Sequence, residues 1–119
     1  MVEILTTESD YIKGKWCYEK NIRHLKIVSE GGYVDSKDFN QNPVRKLEIG
    51  VAVEDAGTIK NKKWQPNNKA LGVLTKLFGK DSKNWVNKKL KINLSPYKDT
   101  YSIEVDEMDT RALNQPTGL

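Results

Sequence analysis

Lysines grouped near aromatic side chains are the residues of this 119-residue chain with the clearest chemical potential. Residues 58–100 contain eleven lysines and two aspartates, a net charge of +9, whereas residues 1–57 and 101–119 have net charges of −2 and −3. Such a concentration of cations attracts polyanions, and the attraction weakens as the salt concentration rises. The alternative is a solvated lysine-rich surface, and the composition leaves both interpretations open.

Sequence-tolerant binding of single-stranded nucleic acid needs cations that follow the phosphates and rings that stack on bases, at about 1–3 kcal/mol per base. The chain has both kinds of residue in four short segments, and in two of these, 60–64 and 97–98, a ring and a cation occur together. The candidate nucleic-acid-binding residues are Tyr33, Arg45, Lys46, Lys60, Lys62, Lys63, Trp64, Tyr97 and Lys98. Phe39 lies in the same region as Tyr33.

Several aromatic residues have a second interpretation. Trp64 follows a lysine run and could equally lie in the core or at an interface. Trp85 and Tyr101 are predicted to be core residues, and Tyr97 lies in a turn, where a contact role and plain exposure are both open. The sequence 16–18, Trp-Cys-Tyr, could belong to the core or to a second contact patch.

Catalytic chemistry has little support in the sequence. The single histidine, His24, and the single cysteine, Cys17, argue against Ser-His or Cys-His catalysis and exclude a His/Cys zinc cluster within one chain. No P-loop, dinucleotide fingerprint or HExxH motif is present. An acidic cluster favours a solvated edge over a weak cation site, and it could also fold back over the lysines: Glu104, Asp106, Glu107 and Asp109. We therefore expect a protein without enzymatic activity, cofactor or metal.

Length and cysteine content limit the architecture and the compartment. A chain of 119 residues has room for one domain and one core. No apolar run approaches the roughly 20 residues of a membrane span, and the N-terminus lacks the pattern of a secretory signal. Because a single cysteine favours a reducing compartment, we expect a cytoplasmic protein with no membrane partner.

The elements that must position these residues follow from the periodicity. Strands are predicted at 22–28, 46–53 and 58–64, with a break or bend at Gly31-Gly32 and a loop over 35–44. In the second strand Leu47, Ile49, Val51 and Val53 alternate inward. The small outward residues Gly50 and Ala52 leave room for a flat group to approach.

A helix is predicted over 69–78, with an asparagine as its N-cap and Gly79 at its end. A short turn over 81–85 then places Trp85 in the core, and strands follow at 88–94 and 101–105. Lys89 and Lys91 on the outward face of the fourth strand could simply keep it soluble. From Glu107 the chain is expected to be a frayed tail.

Three strands, a helix and two strands are the layout of an OB-fold. The fold class is therefore predicted as mainly β with one helix, a five-stranded OB-like Greek-key barrel with the helix between strands three and four. A split β-sheet with one packed helix is the alternative. We expect a single domain over 1–106, with 1–20 as an N-terminal extension of unassigned structure and 107–119 as a flexible tail. Since strands two and three and the loops 1–2 and 4–5 form the binding face of OB-folds, the candidates should share one outward groove.

The region from about Arg45 to Val105 carries a recognisable series of short motifs. They are Trp-Gln-Pro-Asn-Asn at 64–68, Leu71 and Leu74, Phe-Gly-Lys-Asp at 78–81, Trp85, and Lys-Lys-Leu at 88–90. This series resembles a family of small phage and prophage proteins, although Lys80 stands where that family usually has an acid and Asn87 where it has a glycine. The resemblance implies an accessory protein of phage-like or mobile-element DNA metabolism, similar in general plan to single-stranded-DNA-binding proteins.

The sequence therefore predicts a domain that binds single-stranded nucleic acid, with DNA favoured over RNA. Two alternatives remain open. One is a protein-interaction module of a phage or mobile-element replication or assembly system, and the other is an RNA-binding OB domain.

Overall fold

A computed structural model describes residues 10–38 and 40–115 of the chain, which fold into five strands and three helices. The strands are β1 (His24–Lys37), β2 (Pro43–Asp55), β3 (Thr58–Trp64), β4 (Lys89–Tyr97) and β5 (Thr100–Val105). The helices are α1 (Gly14–Lys20), α2 (Asn68–Phe78) and α3 (Glu107–Leu113), and a 3₁₀ turn covers Ser82–Trp85. The sequence analysis predicted a single helix; this prediction was wrong, since the structure also contains α1 and α3.

The five strands form one antiparallel sheet in the order β3-β2-β1-β4-β5, curled into a half-barrel. Ile49, Val51 and Val53 of β2 are buried on its inner face, as their alternation predicted. Leu74 of α2 and Trp85 are buried in the same core. The core therefore lies between the inner face of the sheet and α2.

The segment from β3 to Trp85 agrees closely with the prediction made from the sequence. Asn67 caps α2 by accepting a hydrogen bond from the Ala70 N–H at 2.8 Å, and the helix ends before Gly79, whose φ is +94°. Trp85 is buried and its indole N–H donates to the Gly79 carbonyl at 2.9 Å. Among the described helices, none combines the length and apolar character needed to cross a membrane.

β1 continues through the two glycines that were expected to break it. The pairing with β2 is irregular between Ile27 and Ser29 and again between Ser29 and Gly32. Gly31 has φ +63°, and a Cβ there would lie 1.7 Å from the Glu48 carbonyl oxygen, so only glycine fits this bulge. Beyond it, residues 32–37 pair with 43–48, and no third strand joins them in the part of the chain that the structure describes; we call this two-stranded ribbon the β1–β2 arm.

Residues 10–20, expected to be an extension of unassigned structure, lie between the two outermost strands. On β3, the Lys63 N–H donates to the Asp10 carbonyl at 2.7 Å and the Ile12 N–H donates to the Lys63 carbonyl at 2.8 Å. On β5, a Cβ at Gly14 would lie 1.9 Å from the Tyr101 carbonyl oxygen. The N-terminal segment thus links the β3 and β5 sides of the half-barrel.

α3 replaces the frayed tail that the sequence predicted from Glu107. Asp106 caps it by accepting a hydrogen bond from the Asp109 N–H at 2.9 Å. Thr110 is fully buried, and its hydroxyl accepts from the Lys91 N–H at 3.0 Å. Asn114 accepts from the Lys89 N–H at 2.9 Å and donates to the Lys89 carbonyl at 2.7 Å. The helix therefore satisfies backbone groups along the part of β4 that β5 does not pair.

We expect Gly14→Ala to destabilise the protein by about 1–3 kcal/mol, because the added methyl group meets a backbone carbonyl that cannot move aside cheaply. Urea unfolding would measure the change. Gly72→Ala is the matched control, since nothing lies near its Cβ and alanine favours the interior of α2 by up to about 1 kcal/mol. Equal stability of the Gly14 variant and the parent would refute the close packing of α1 on β5.

The cap of α3 should respond to acid. The Asp109 N–H and then the Asn93 side-chain amide hold the pKa of the Asp106 carboxyl below its usual range, about 3.9. The resulting stabilisation is present above that unfolded-state pKa and is lost as the pH falls through the lower folded-state pKa. NMR titration should show the α3 amides losing protection in this window. Asp106→Asn keeps a good cap and should remove the dependence; the same acid response in that variant would contradict the assignment.

Candidate nucleic-acid interface

The structure divides the predicted binding residues among three places. Tyr33, Arg45 and Lys46 lie on the β1–β2 arm, Tyr97 and Lys98 lie at the β4–β5 hairpin, and the remaining four candidates lie on β3. β4 pairs only with His24–Lys26 at the start of β1, whereas the arm continues from the end of β1. The two hairpins therefore lie toward opposite ends of β1, and the candidates do not share the single groove that was expected.

Trp64 and Lys62 are core-facing residues of β3. They pair with Ile49 and Val51, so they lie on the inner face, and their exposures are only 3% and 8%. A ring so deeply buried cannot stack on a base, and Trp64 is therefore removed from the candidate site. The Lys62 ammonium lies 4.9 Å from the centroid of the Trp16 ring.

Lys60 also lies on the inner face, since it pairs with Val53. Its ammonium is 2.9 Å from an Asp55 carboxylate oxygen and 5.9 Å from the Trp16 ring centroid. Lys60 and Lys62 thus converge on one ring of α1, which the sequence left open as core or contact patch. The Trp16 indole N–H is buried and has no hydrogen-bond partner among the described residues. Both ammonium groups lie within cation–π distance of the ring.

The two hairpins each carry an exposed tyrosine beside a cation. On the arm, Tyr33 is 65% exposed and the Arg45 guanidinium lies 5.8 Å from its ring centroid. At the β4–β5 hairpin, Tyr97 is 59% exposed and the Lys98 ammonium lies 5.5 Å from its ring centroid. These pairs are accessible but separate. Phe39 lies outside the described residues.

The outer face of the sheet brings together cations that the sequence did not group. Pairing places Lys89 beside Lys26, Lys26 beside Ala52 and Ala52 beside Asn61, which makes a row across four strands. The adjacent row places Gly50 beside Lys63. Next to Ala52 lies a depression of about 880 Å³, which we call the outer groove; its lining includes Lys26, Val28, Ala52, Ile59, Asn61 and Lys89.

The charge of the outer groove is unbalanced. Lys26 and Lys89 are exposed cross-strand neighbours, and like charges in that relation destabilise a sheet. Neither has an ion-pair partner within residues 10–38 and 40–115. Arg23 and His24 also line the groove, and Glu54 is the acid among the described lining residues. A bound anion would offset the lysine repulsion.

Tyr11 and Glu48 form a polar cluster at the edge of β3. The Tyr11 hydroxyl donates to the Glu48 carboxylate, and the Gln65 amide donates to it at 3.2 Å. The Tyr11 hydrogen bond, then the Gln65 amide and the Lys63 charge, hold the Glu48 pKa below its usual range. The Lys63 ammonium lies 6.0 Å from the Tyr11 ring centroid. An aromatic ring is thus fixed next to a lysine of the outer face.

The acidic C-terminal residues pair with lysines of α2. Glu104 accepts from Lys69 at 3.0 Å, and Glu107 lies 3.0 Å from the Lys76 ammonium and 3.4 Å from Arg111. These are exposed pairs, worth about 0–1 kcal/mol each. They place two cations of the basic segment opposite acids. Within the described ranges, no group of three His, Cys, Asp or Glu side chains could hold a metal ion.

Sequence reasoning missed Lys26 and Lys89 as partners because they are 63 positions apart and meet only through strand pairing. The available signal was the outward position of small side chains on β2. Ala52, one of the two residues expected to admit a flat group, does lie in the lining of the outer groove.

We expect Tyr11→Phe to raise the Glu48 pKa toward its usual value of about 4.3, because the variant removes the hydroxyl hydrogen bond. Carboxyl-detected NMR titration would measure it. Tyr97→Phe removes a hydroxyl elsewhere and should leave Glu48 unchanged. A Glu48 titration identical in the Tyr11 variant and the parent would show that the hydroxyl does not bind this carboxylate.

Comparison with known proteins gave no relative: no protein-family model, curated protein or solved structure matches this chain. The geometry and charge of its own surface are therefore the basis on which its function is inferred.

Proposed function

We propose that the half-barrel is an OB-like domain that binds single-stranded nucleic acid, with DNA favoured over RNA, across the outer groove. One observation carries the proposal: Lys26 and Lys89 lie side by side on the outer face, next to the small side chain of Ala52. Cations beside a floor of small residues suit a chain of phosphates whose bases approach the sheet closely.

The topology supports the OB-like part of the proposal. β1 pairs with both β2 and β4, and α2 follows β3 in the chain. In OB-folds, which are partly open five-stranded barrels, the face of strands two and three binds oligonucleotides. The corresponding residues here are Gly50, Ala52, Asn61 and Lys63. A non-enzymatic accessory role in phage-like or mobile-element DNA metabolism, in the cytoplasm, is part of the same proposal and rests on the sequence motifs.

The number of lysines on the outer face determines how steeply binding depends on salt. Strands lie about 4.8 Å apart, so the row from Lys89 to Asn61 spans about 14 Å. The lysines of the two outer-face rows are Lys26, Lys63 and Lys89. Arg23 also lines the groove, but its guanidinium donates to the Cys17 and Ile22 carbonyls. Each phosphate contact contributes about 0.7 to the log–log salt slope for single strands, so three contacts give a slope of about −2. Binding should therefore be modest and strongly salt-dependent.

Fluorescence anisotropy of a labelled oligo-dT over a range of salt concentrations tests the proposal. We expect a slope of about −2 or steeper for the parent protein, because the three outer-face lysines by themselves account for about −2. The double variant Lys26→Ala/Lys89→Ala should lose most of the affinity and make the slope shallower by about 1.4, because two phosphate contacts are removed. Lys80→Ala/Lys83→Ala is the control: it removes the same charge from exposed residues outside the outer groove.

Equal losses in the two double variants would show that net charge, not the outer groove, governs binding. Oligo-rU in the same assay distinguishes an RNA-binding domain from one that favours DNA. No anisotropy change even at low salt would overturn the proposal.

A protein-interaction module is the second candidate, and the β1–β2 arm favours it. Residues 32–48 carry three basic and three acidic side chains, so the arm has no net charge with which to attract a polyanion. Its Tyr33 ring is nevertheless mostly exposed. Absence of nucleic-acid binding at low salt would make this arm the first surface to test for protein partners.

A further inference from the structure

A small pocket lies where residues 11–19 meet the inner-face side of β3, across the strand edge from the outer groove. It has a volume of about 230 Å³ and is lined by Tyr11, Lys13, Lys15, Trp16, Glu19 and Lys62. We call it the Trp16 pocket. At about 30 Å³ per water it has space for roughly seven or eight waters, which suits one pyrimidine base and is too small for a base pair.

The lining combines the two features of a single-strand contact. Trp16 and Tyr11 provide aromatic rings, and Lys13 and Lys15 are exposed cations of the lining. The Lys62 ammonium lies 4.9 Å from the Trp16 ring centroid, so a base stacks on Trp16 beside this cation or in its place. Glu19 adds a carboxylate, which repels a phosphate but accepts a hydrogen bond from the imino N–H of thymine or uracil. This set of groups fits a base inside the pocket with its phosphates at the rim.

The position of the pocket continues the outer groove. Tyr11 forms a parallel bridge with Lys63, and Lys63 belongs to the outer-face row next to Gly50. A strand that crosses the sheet from Lys89 toward β3 therefore leaves the sheet beside Lys63 and Tyr11. Among the described residues that line the outer groove there is no tryptophan, tyrosine or phenylalanine, and His24 is the aromatic ring there, so further stacking must come from outside the groove.

We propose that the Trp16 pocket takes one base of the bound single strand, stacked on Trp16, with the flanking phosphates on Lys13 and Lys15. This inference rests on the proposed function and adds its base-binding subsite. It also makes Trp16 the reporter of binding, because the other two tryptophans, Trp64 and Trp85, are 3% and 2% exposed.

Two readouts on the same titration separate the inference from the function on which it rests. Anisotropy of labelled oligo-dT reports binding, and tryptophan fluorescence reports stacking on Trp16. We expect both signals to change with the same midpoint, and Trp16→Phe to abolish the quenching while keeping a ring and most of the affinity. Anisotropy without any quenching in the parent protein would overturn the inference and leave the outer groove intact. No change in either signal would overturn both.

Variants test the energetics. Trp16→Ala should weaken oligo-dT binding roughly 5- to 150-fold, the range that corresponds to about 1–3 kcal/mol for one stacked base. Since Trp16 also packs against the core, Lys13→Ala/Lys15→Ala provides a second variant on exposed residues, and it should make the salt slope shallower by about 1.4. Tyr97→Ala is the matched aromatic control and should bind like the parent. An unchanged slope in the Lys13/Lys15 variant would show that the phosphates do not bind at the rim of this pocket.

Discussion

The pairing register of β2 with its two neighbours decides what this protein presents to solvent. Side chains alternate across a strand, so the register that buries Ile49, Val51 and Val53 also turns Gly50 and Ala52 outward. A shift of one residue would exchange the two faces. The same register turns Lys60 and Lys62 inward with the apolar side chains opposite them, and brings Lys26 next to Ala52 on the outside. Which lysines are available to a polyanion therefore follows from the burial of β2 and not from their density along the chain.

Within the described residues, the N-terminal segment and α3, and not a further strand, cover the exposed strand edges of the half-barrel. Asp10–Ile12 bonds to the edge of β3 at Lys63, and α1 packs on β5 so closely that only glycine fits at position 14. The stacked rings of Tyr18 and Tyr101, with centroids 4.3 Å apart, hold the same contact. On the other side, Thr110 and Asn114 of α3 bond to backbone groups of β4. These contacts cover strand edges that would otherwise pair with another chain.

The basic middle segment is less uniform as a surface than as a sequence. Lys69 and Lys76 pair with Glu104 and Glu107, and Lys60 pairs with Asp55. Residues 101–119, which carry a net charge of −3, thus offset part of the +9 of the segment before them. The positive charge that remains available to a partner is local, where the cross-strand neighbours Lys26 and Lys89 are both cations. The positively charged surface is therefore smaller than the composition suggests, and strand pairing decides on which face of the sheet it lies.

Local periodicity was sufficient for the elements whose burial repeats along the chain. The bounds of β3, the alternation of β2, the Asn-capped helix α2 and the buried Trp85 all follow from side chains within a few residues of one another. The continuation of β1 past Gly31 and the existence of α1 and α3 do not, because a bulge, a glycine contact and three side-chain hydrogen bonds to β4 join residues far apart in the chain. The position of Trp64 was also undetermined by local sequence, because a tryptophan beside lysines suits both a core and a binding face until its cross-strand partner is known. The sequence by itself determined the kinds of side chain and their local elements, whereas only the tertiary structure decided which of them face the same side, because strand pairing is a long-range contact.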